Sequence, residues 1–218
     1  MPWFNGQTID PKILLTVSIF VLILFAIFWI IKKILYLPPL NIFEAVSEYR
    51  YDHIRKYLSE GGDINKKNHE GLTPLMIACA KGVRLLGDKV RDHFENGAYL
   101  ETLKMIKFLL EEAQALPDIR DNEGNPALHY TVTCLPERGH LLLAAGANIN
   151  LQNDLGETAL IQAAMRGQTD VIKLYLEYGA DTEIRDNTGR TARLYAMDRG
   201  FTDIVELLPS TTETYFLS

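Results

Sequence analysis

Two hydrophobic patterns divide this chain. From Ile13 to Ile31, 19 residues run without a charged side chain. As a helix at about 1.5 Å per residue the run spans about 28 Å, close to the ~30 Å hydrocarbon core of a bilayer. It is apolar on every face, unlike a buried helix of a water-soluble protein. Its polar side chains, Thr16 and Ser18, can bond back to helix carbonyls. Trp29 and Tyr36 suit a membrane interface, and Lys32 and Lys33 suit lipid phosphates. A cleaved signal peptide fits poorly, because the preceding residues are poor in basic groups and no A-x-A-like site follows. The pattern predicts a short flank over 1–12 and one transmembrane helix over 13–36.

Beyond residue 36 the apolar residues come in short groups at helical spacing. Val171, Ile172, Leu174 and Leu176 form the stripe of one short helix, and the small Ala163 and Ala164 let another helix approach closely. The groups repeat. Gly124, Gly156 and Gly189 are spaced 32 and 33 apart, and Gly71 lies 53 before Gly124. After them stand Thr73-Pro74-Leu75-Met76, Pro126-Ala127-Leu128-His129, Thr158-Ala159-Leu160-Ile161 and Thr191-Ala192-Arg193-Leu194. Each Thr stands where an N-cap oxygen can satisfy open helix N–H groups, and Pro74 fits the first helical position. The units leave through Gly62-Asp63, Gly146-Ala147 and Gly179-Ala180, and Gly179 supplies a left-handed helix end. No single unit can enclose its own apolar face, so neighbours must stack.

These motifs resemble the ankyrin-repeat family, and residues 153–186 are close to one full repeat. The resemblance implies an all-α ankyrin-repeat solenoid of about five helix-turn-helix units over 37–209, after one transmembrane helix. The units are 37–69, 70–122, 123–154, 155–187 and 188–209, followed by a tail over 210–218. The first is a cap with helices around 42–47 and 52–58. The last is truncated, with Arg193 in a slot that is usually apolar. His129 fills a slot that the family uses for hydrogen bonds between repeats. The family meets its partners along the hairpin tips and first helices. By motif position that implies Asn68, His69, Glu70, Asp121, Asn122, Glu123, Asn153, Asp154, Asp186 and Asn187 as partner-binding residues.

Set against unit four, unit two carries about 19 surplus residues between its helices, about 83–102. Function concentrates on loops over a rigid scaffold, so Arg91, His93, Phe94 and Tyr99 of this insert are further contact candidates. Plain surface decoration is the competing reading, because a longer loop costs little closure entropy. The tail residues Tyr215, Phe216 and Leu217 either dock on the last unit or fray.

Charge and composition sharpen the division. The formal net charge is −6, and only Asp10, Lys12, Lys32 and Lys33 of the charged residues precede residue 37. The acidic body gives no basic footprint for nucleic acid. Two cysteines cannot form a disulfide scaffold or a four-cysteine zinc site, and Cys79 and Cys134 read as small buried hydrophobes. The five histidines are scattered, and no phosphate-loop, nucleophile-elbow or metalloprotease motif occurs. We therefore expect no catalytic or metal residues, no cofactor, no small-molecule substrate and no enzyme. The expected function is a membrane-anchored scaffold or adaptor that binds a partner protein. The alternative is an inhibitor, such as a bacterial immunity protein that neutralises a toxin. Lysines after the apolar run favour a single-pass protein of the inner cell membrane with a cytoplasmic body; a periplasmic body is the alternative.

Overall fold

In the computed structural model the described residues are 25, 41–81, 97–133 and 135–208. The chain divides into two compact parts, Met1–Leu40 and Asn41–Ser218. In the first part only Phe25 is described, helical and exposed. The flank 1–12 and, Phe25 apart, the transmembrane helix expected over 13–36 lie outside the described residues. Among the described residues no helix is long and apolar enough to cross a membrane.

The second part is all-α. Its helices are α1 (Ile42–Ser47), α2 (Tyr51–Ser59), α3 (Pro74–Ala80), α4 (Ala98–Glu111), a 3-10 helix (Ala127–Thr131), α5 (Pro136–Ala144), α6 (Ala159–Met165), α7 (Thr169–Glu177), α8 (Ala192–Arg199) and α9 (Thr202–Leu207). One isolated antiparallel bridge, Gln152 to Thr158, is the sole β pairing among the described residues. First helices pack on first helices, in the order α1, α3, the 3-10 helix, α6, α8. Later second helices do likewise, with α5 between α4 and α7, and α9 beside α7.

The caps form as the sequence predicts. Thr73, Thr158 and Thr191 accept the N–H of Met76, Ile161 and Leu194 at 3.3, 3.2 and 3.4 Å. Side chains between the layers are buried, among them Leu75, Leu109, Leu142, Leu160, Ile172 and Ile204. Each contributes roughly 1.5–3 kcal/mol relative to exposure. Tyr175 is fully buried, with its hydroxyl 3.3 Å from Thr131 Oγ1, so second and first layers also meet through a polar contact.

Two details depart from the sequence reading. The first helix of unit three is a single 3-10 turn. The β-branched Thr131, Val132 and Thr133 disfavour helix, and Leu135 precedes Pro136, which pushes its backbone to the extended ψ of 147°. The surplus residues expected over about 83–102 also end in helix rather than loop. Gly97 at φ 70° opens α4, so 98–102 form the first turn of the second helix. Residues 82–96, which include Arg91, His93 and Phe94, lie outside the described residues.

Candidate interaction surface

Each hairpin tip is built by one Asn or Asp placed three residues before its glycine. Asn68 Oδ1 accepts the N–H of Glu70 and Leu72 at 3.0 and 2.8 Å. Asp121 does the same for Glu123 and Asn125, Asn153 for Leu155 and Glu157, and Asp186 for Thr188 and Arg190. The backbone closes each turn as well, as where Asn153 N–H donates to Glu157 O at 2.9 Å.

The tips are linked in single file. The N–H groups of Asn122, Asp154 and Asn187 donate to the carbonyls of Glu70, Glu123 and Leu155 at 3.3, 3.0 and 3.0 Å. Asn122 Nδ2 adds a bond to His69 O at 3.0 Å, and Asn187 Nδ2 one to Asp154 O at 2.8 Å. Glycine is required here on two grounds. Gly71, Gly124 and Gly156 have φ of 79°, 79° and 76°, and a Cβ on them would lie 2.5, 2.7 and 2.7 Å from the next tip's backbone nitrogen.

This geometry sorts the expected contact residues. Asn153 and Asp186 are buried, and with Asn68 and Asp121 they spend their Oδ1 atoms on their own turns, while Asn153 Nδ2 donates to Asn125 Oδ1 of the preceding unit at 2.9 Å. His69, Glu70, Asn122, Glu123, Asp154 and Asn187 are exposed along the row. Leu155 is 63% exposed beside them and was legible only as part of a tip. Tyr99, expected on a free loop, instead lies on α4 and donates to Glu137 Oε2 at 2.9 Å.

Behind the row two tyrosines recur nine residues after an aspartate. Tyr130 donates to Asp121 Oδ2, and Tyr195 donates to Asp186 Oδ2 at 2.6 Å. Burial pushes the Asp186 carboxyl up, but the Tyr195 hydroxyl and the N–H groups of Arg190 and Thr188 outweigh it and hold it down at about 2. Asp121 is depressed by the same balance of burial against Tyr130, Asn125 and Glu123. Burial, with the bond to Asp121, pushes the Tyr130 phenol upward. Tyr130 is therefore a neutral donor at neutral pH. His129 bonds through Nε2 to Glu157 O of the next unit at 2.9 Å, which is the inter-repeat role that the resemblance implied. Burial depresses its basicity, against the opposing effect of that carbonyl.

A second network, not legible from the repeat pattern, holds both mouths of the insert. Lys81 Nζ donates to Ser47 O and lies 3.6 Å from the Tyr49 ring centroid. Tyr49, at φ 56°, reaches Thr102 Oγ1 at 2.7 Å and Ala98 O at 3.3 Å. The buried Arg138 donates to Cys79 O at 2.9 Å and Lys81 O at 2.6 Å, and stacks 5.6 Å from the Tyr99 ring centroid. Units one and three thus grip the two ends at which the insert joins unit two.

A shallow groove of about 400 Å³ between α2 and α4 offers little for a charged ligand. Its cations are paired: Arg55 with Glu112 at 3.0 Å, Lys104 with Glu101 at 2.8 Å and Lys107 with Glu111 at 3.8 Å. Among the described residues no group of His, Cys, Asp or Glu could hold a metal ion.

Stacked helical hairpins with linked tips define a repeat scaffold. Residues 135–214 match the family model described as Ankyrin repeats (3 copies). The chain is 28% identical over 136 residues to Ankyrin repeat protein OPG189 of Variola virus, an alignment covering 62% of this chain and 21% of that protein. It is 32% identical over 121 residues to Neurogenic locus Notch protein of Drosophila melanogaster, covering 54% of this chain and 4% of that one. The chain thus spans about a fifth of the viral relative's length and far less of the fly protein's. It contains ankyrin repeats, and these imply a protein–protein interaction module.

Proposed function

We propose that this protein is a membrane-anchored adaptor whose row of hairpin tips binds one partner protein. The observation that carries the reading is the linked row itself. It presents His69-Glu70, Asn122-Glu123, Asp154-Leu155 and Asn187-Thr188 on a backbone already fixed before binding. A surface ordered in advance loses little conformational entropy on association. Leu155 supplies an apolar anchor between carboxylates, and Glu70, Glu123 and Asp154 favour a partner with basic groups around an apolar residue. Recognition, rather than a chemical step, is the activity assigned.

The charge-free run Ile13–Ile31 with Lys32 and Lys33 supports an anchor over 13–36 and a cytoplasmic body. Confinement to a membrane raises the effective concentration of the tips near membrane partners.

A photo-crosslinking residue at Leu155 in the full chain, expressed in cells, tests the reading. A control at Lys173, exposed on the second-helix layer, accompanies it. A discrete adduct from position 155 and none from 173 is expected. The same adduct from both positions, or none from 155, defeats the proposal. A Leu155→Cys chain should resist a membrane-impermeant thiol reagent in intact cells and react after lysis; rapid labelling in intact cells would place the body outside.

A further inference from the structure

His129 is buried in the joint between units three and four. A carbonyl can only accept, so the 2.9 Å bond to Glu157 O fixes a proton on Nε2. In the neutral ring Nδ1 is then a bare acceptor. It is buried and has no hydrogen-bond partner.

One residue explains the gap. His129 stands three after the cap of its helix, as Met76 does in unit two. There Met76 Sδ accepts the Thr73 N–H at 3.3 Å. The cap in unit three is Pro126, where Thr73, Thr158 and Thr191 stand in units two, four and five. Proline offers neither a hydroxyl nor an N–H. This slot therefore holds no group to donate to neutral Nδ1 and no side chain to accept from it once protonated. A second proton on the ring would bury a charge and an unpaired donor in the joint.

The surroundings do not rescue that proton. Glu157 of unit four and Asp121 of the same unit favour it, and Arg120 opposes it. Asp121 already accepts from Tyr130, and Glu157 Oε2 from Gln162 at 2.9 Å. The helices α3 and α6, packed on the 3-10 helix, carry no charged side chain. From α5, Glu137 accepts from Tyr99, Arg138 donates to the carbonyls of Cys79 and Lys81, and the exposed His140 packs edge-on to Tyr178. Burial outweighs the carboxylates and lowers the basicity of His129.

We propose that the joint between units three and four is an acid-sensitive hinge, which opens when the His129 ring takes up its second proton. The opened joint returns the ring to water, where its pKa is near 6.5, whereas in the closed joint it is lower. The closed joint is therefore fully stable above about pH 6.5 and loses stability as pH falls below that value. Opening parts the rung from Asp154 N–H to Glu123 O and the bond from Asn153 Nδ2 to Asn125 Oδ1, which cross the same joint. The hinge needs no partner protein to act. It lies wholly within the described residues, and the tail over 209–218 lies outside them.

Hydrogen exchange followed by NMR on the full chain in detergent micelles tests the hinge. Protection of Asp154 N–H, corrected for the intrinsic pH dependence of exchange, should fall severalfold between pH 7.5 and 5.5, up to the limit of about tenfold set by a ring that titrates near 6.5 only when open. Asn187 N–H, in the rung between units four and five, should keep its protection. His129→Gln retains an N–H donor for Glu157 O and cannot titrate, so its Asp154 protection should not depend on pH in this range. No fall at Asp154 in the unchanged chain, or the same fall in His129→Gln, overturns the proposal. An equal fall at Asp154 and Asn187 overturns it too, because the whole stack then responds. Should His129→Gln fail to fold, the ring nitrogen shifts of the unchanged chain decide. An Nε2–H ring that titrates below pH 6.5 is expected, and an Nδ1–H ring, or titration at or above 6.5 in the folded chain, overturns the hinge.

Discussion

Gly156 and Gly189 occupy the same tip position with almost the same backbone, φ 76° and 81°, but among the described residues only the first has a unit stacked on it. Alanine at either must hold a Cβ in the left-handed region, which costs roughly 1–2 kcal/mol. At Gly189 nothing further is disturbed, because a Cβ would meet nothing within 4 Å. At Gly156 the Cβ would lie 2.6 Å from Asn187 Oδ1 and 2.7 Å from Asn187 N. Asn187 donates to Leu155 O at 3.0 Å, so relieving the overlap breaks that bond, worth about 1 kcal/mol, and pushes unit five away from unit four. We expect Gly189→Ala to cost about 1–2 kcal/mol and Gly156→Ala about 3 kcal/mol or more. Urea unfolding followed by circular dichroism measures both, and hydrogen exchange at Asn187 N–H should accelerate only in Gly156→Ala. Equal losses in the two variants would refute the argument, because strain alone would then explain the glycine.

Acid titration should reveal the Asp186 turn. Its folded pKa of about 2 lies below the ordinary carboxylate value near 3.9, so the stability that it supplies is complete above about pH 4 and declines as pH falls toward 2. Asp186→Asn should flatten the acid limb of a stability-versus-pH curve, and an unchanged limb would count against the assignment. Arg138→Met keeps most of the buried volume but leaves the carbonyls of Cys79 and Lys81 without this donor. A loss of about 2–3 kcal/mol in thermal unfolding is expected, and a neutral result would show that the grip on the insert is not energetic.

The legible part of the molecule was whatever repeats. Thr73, Thr158 and Thr191 cap helices because one spacing recurs, and Pro136 marked the start of α5. The tips were located by their glycines. Which tip residues face outward was not legible, because Asn153 and Asp154 are equally polar in sequence and only the turn geometry buries the first. The grip of Tyr49, Lys81 and Arg138 was invisible for a different reason. It joins residues 57 and 59 apart in sequence across three units, and no local period encodes such a contact. That the insert ends in helix was not legible, because α4 takes its first turn from residues that unit four has no counterpart for.

The rungs between tips are made by main-chain groups, with side-chain bonds added from Asn122, Asn153 and Asn187. The outward side chains that make no rung, those of His69, Glu70, Asp154 and Leu155 among them, can therefore be exchanged with little effect on folding. Selection can rewrite the face that these tips present, a side chain or two per hairpin, without renegotiating how the stack folds.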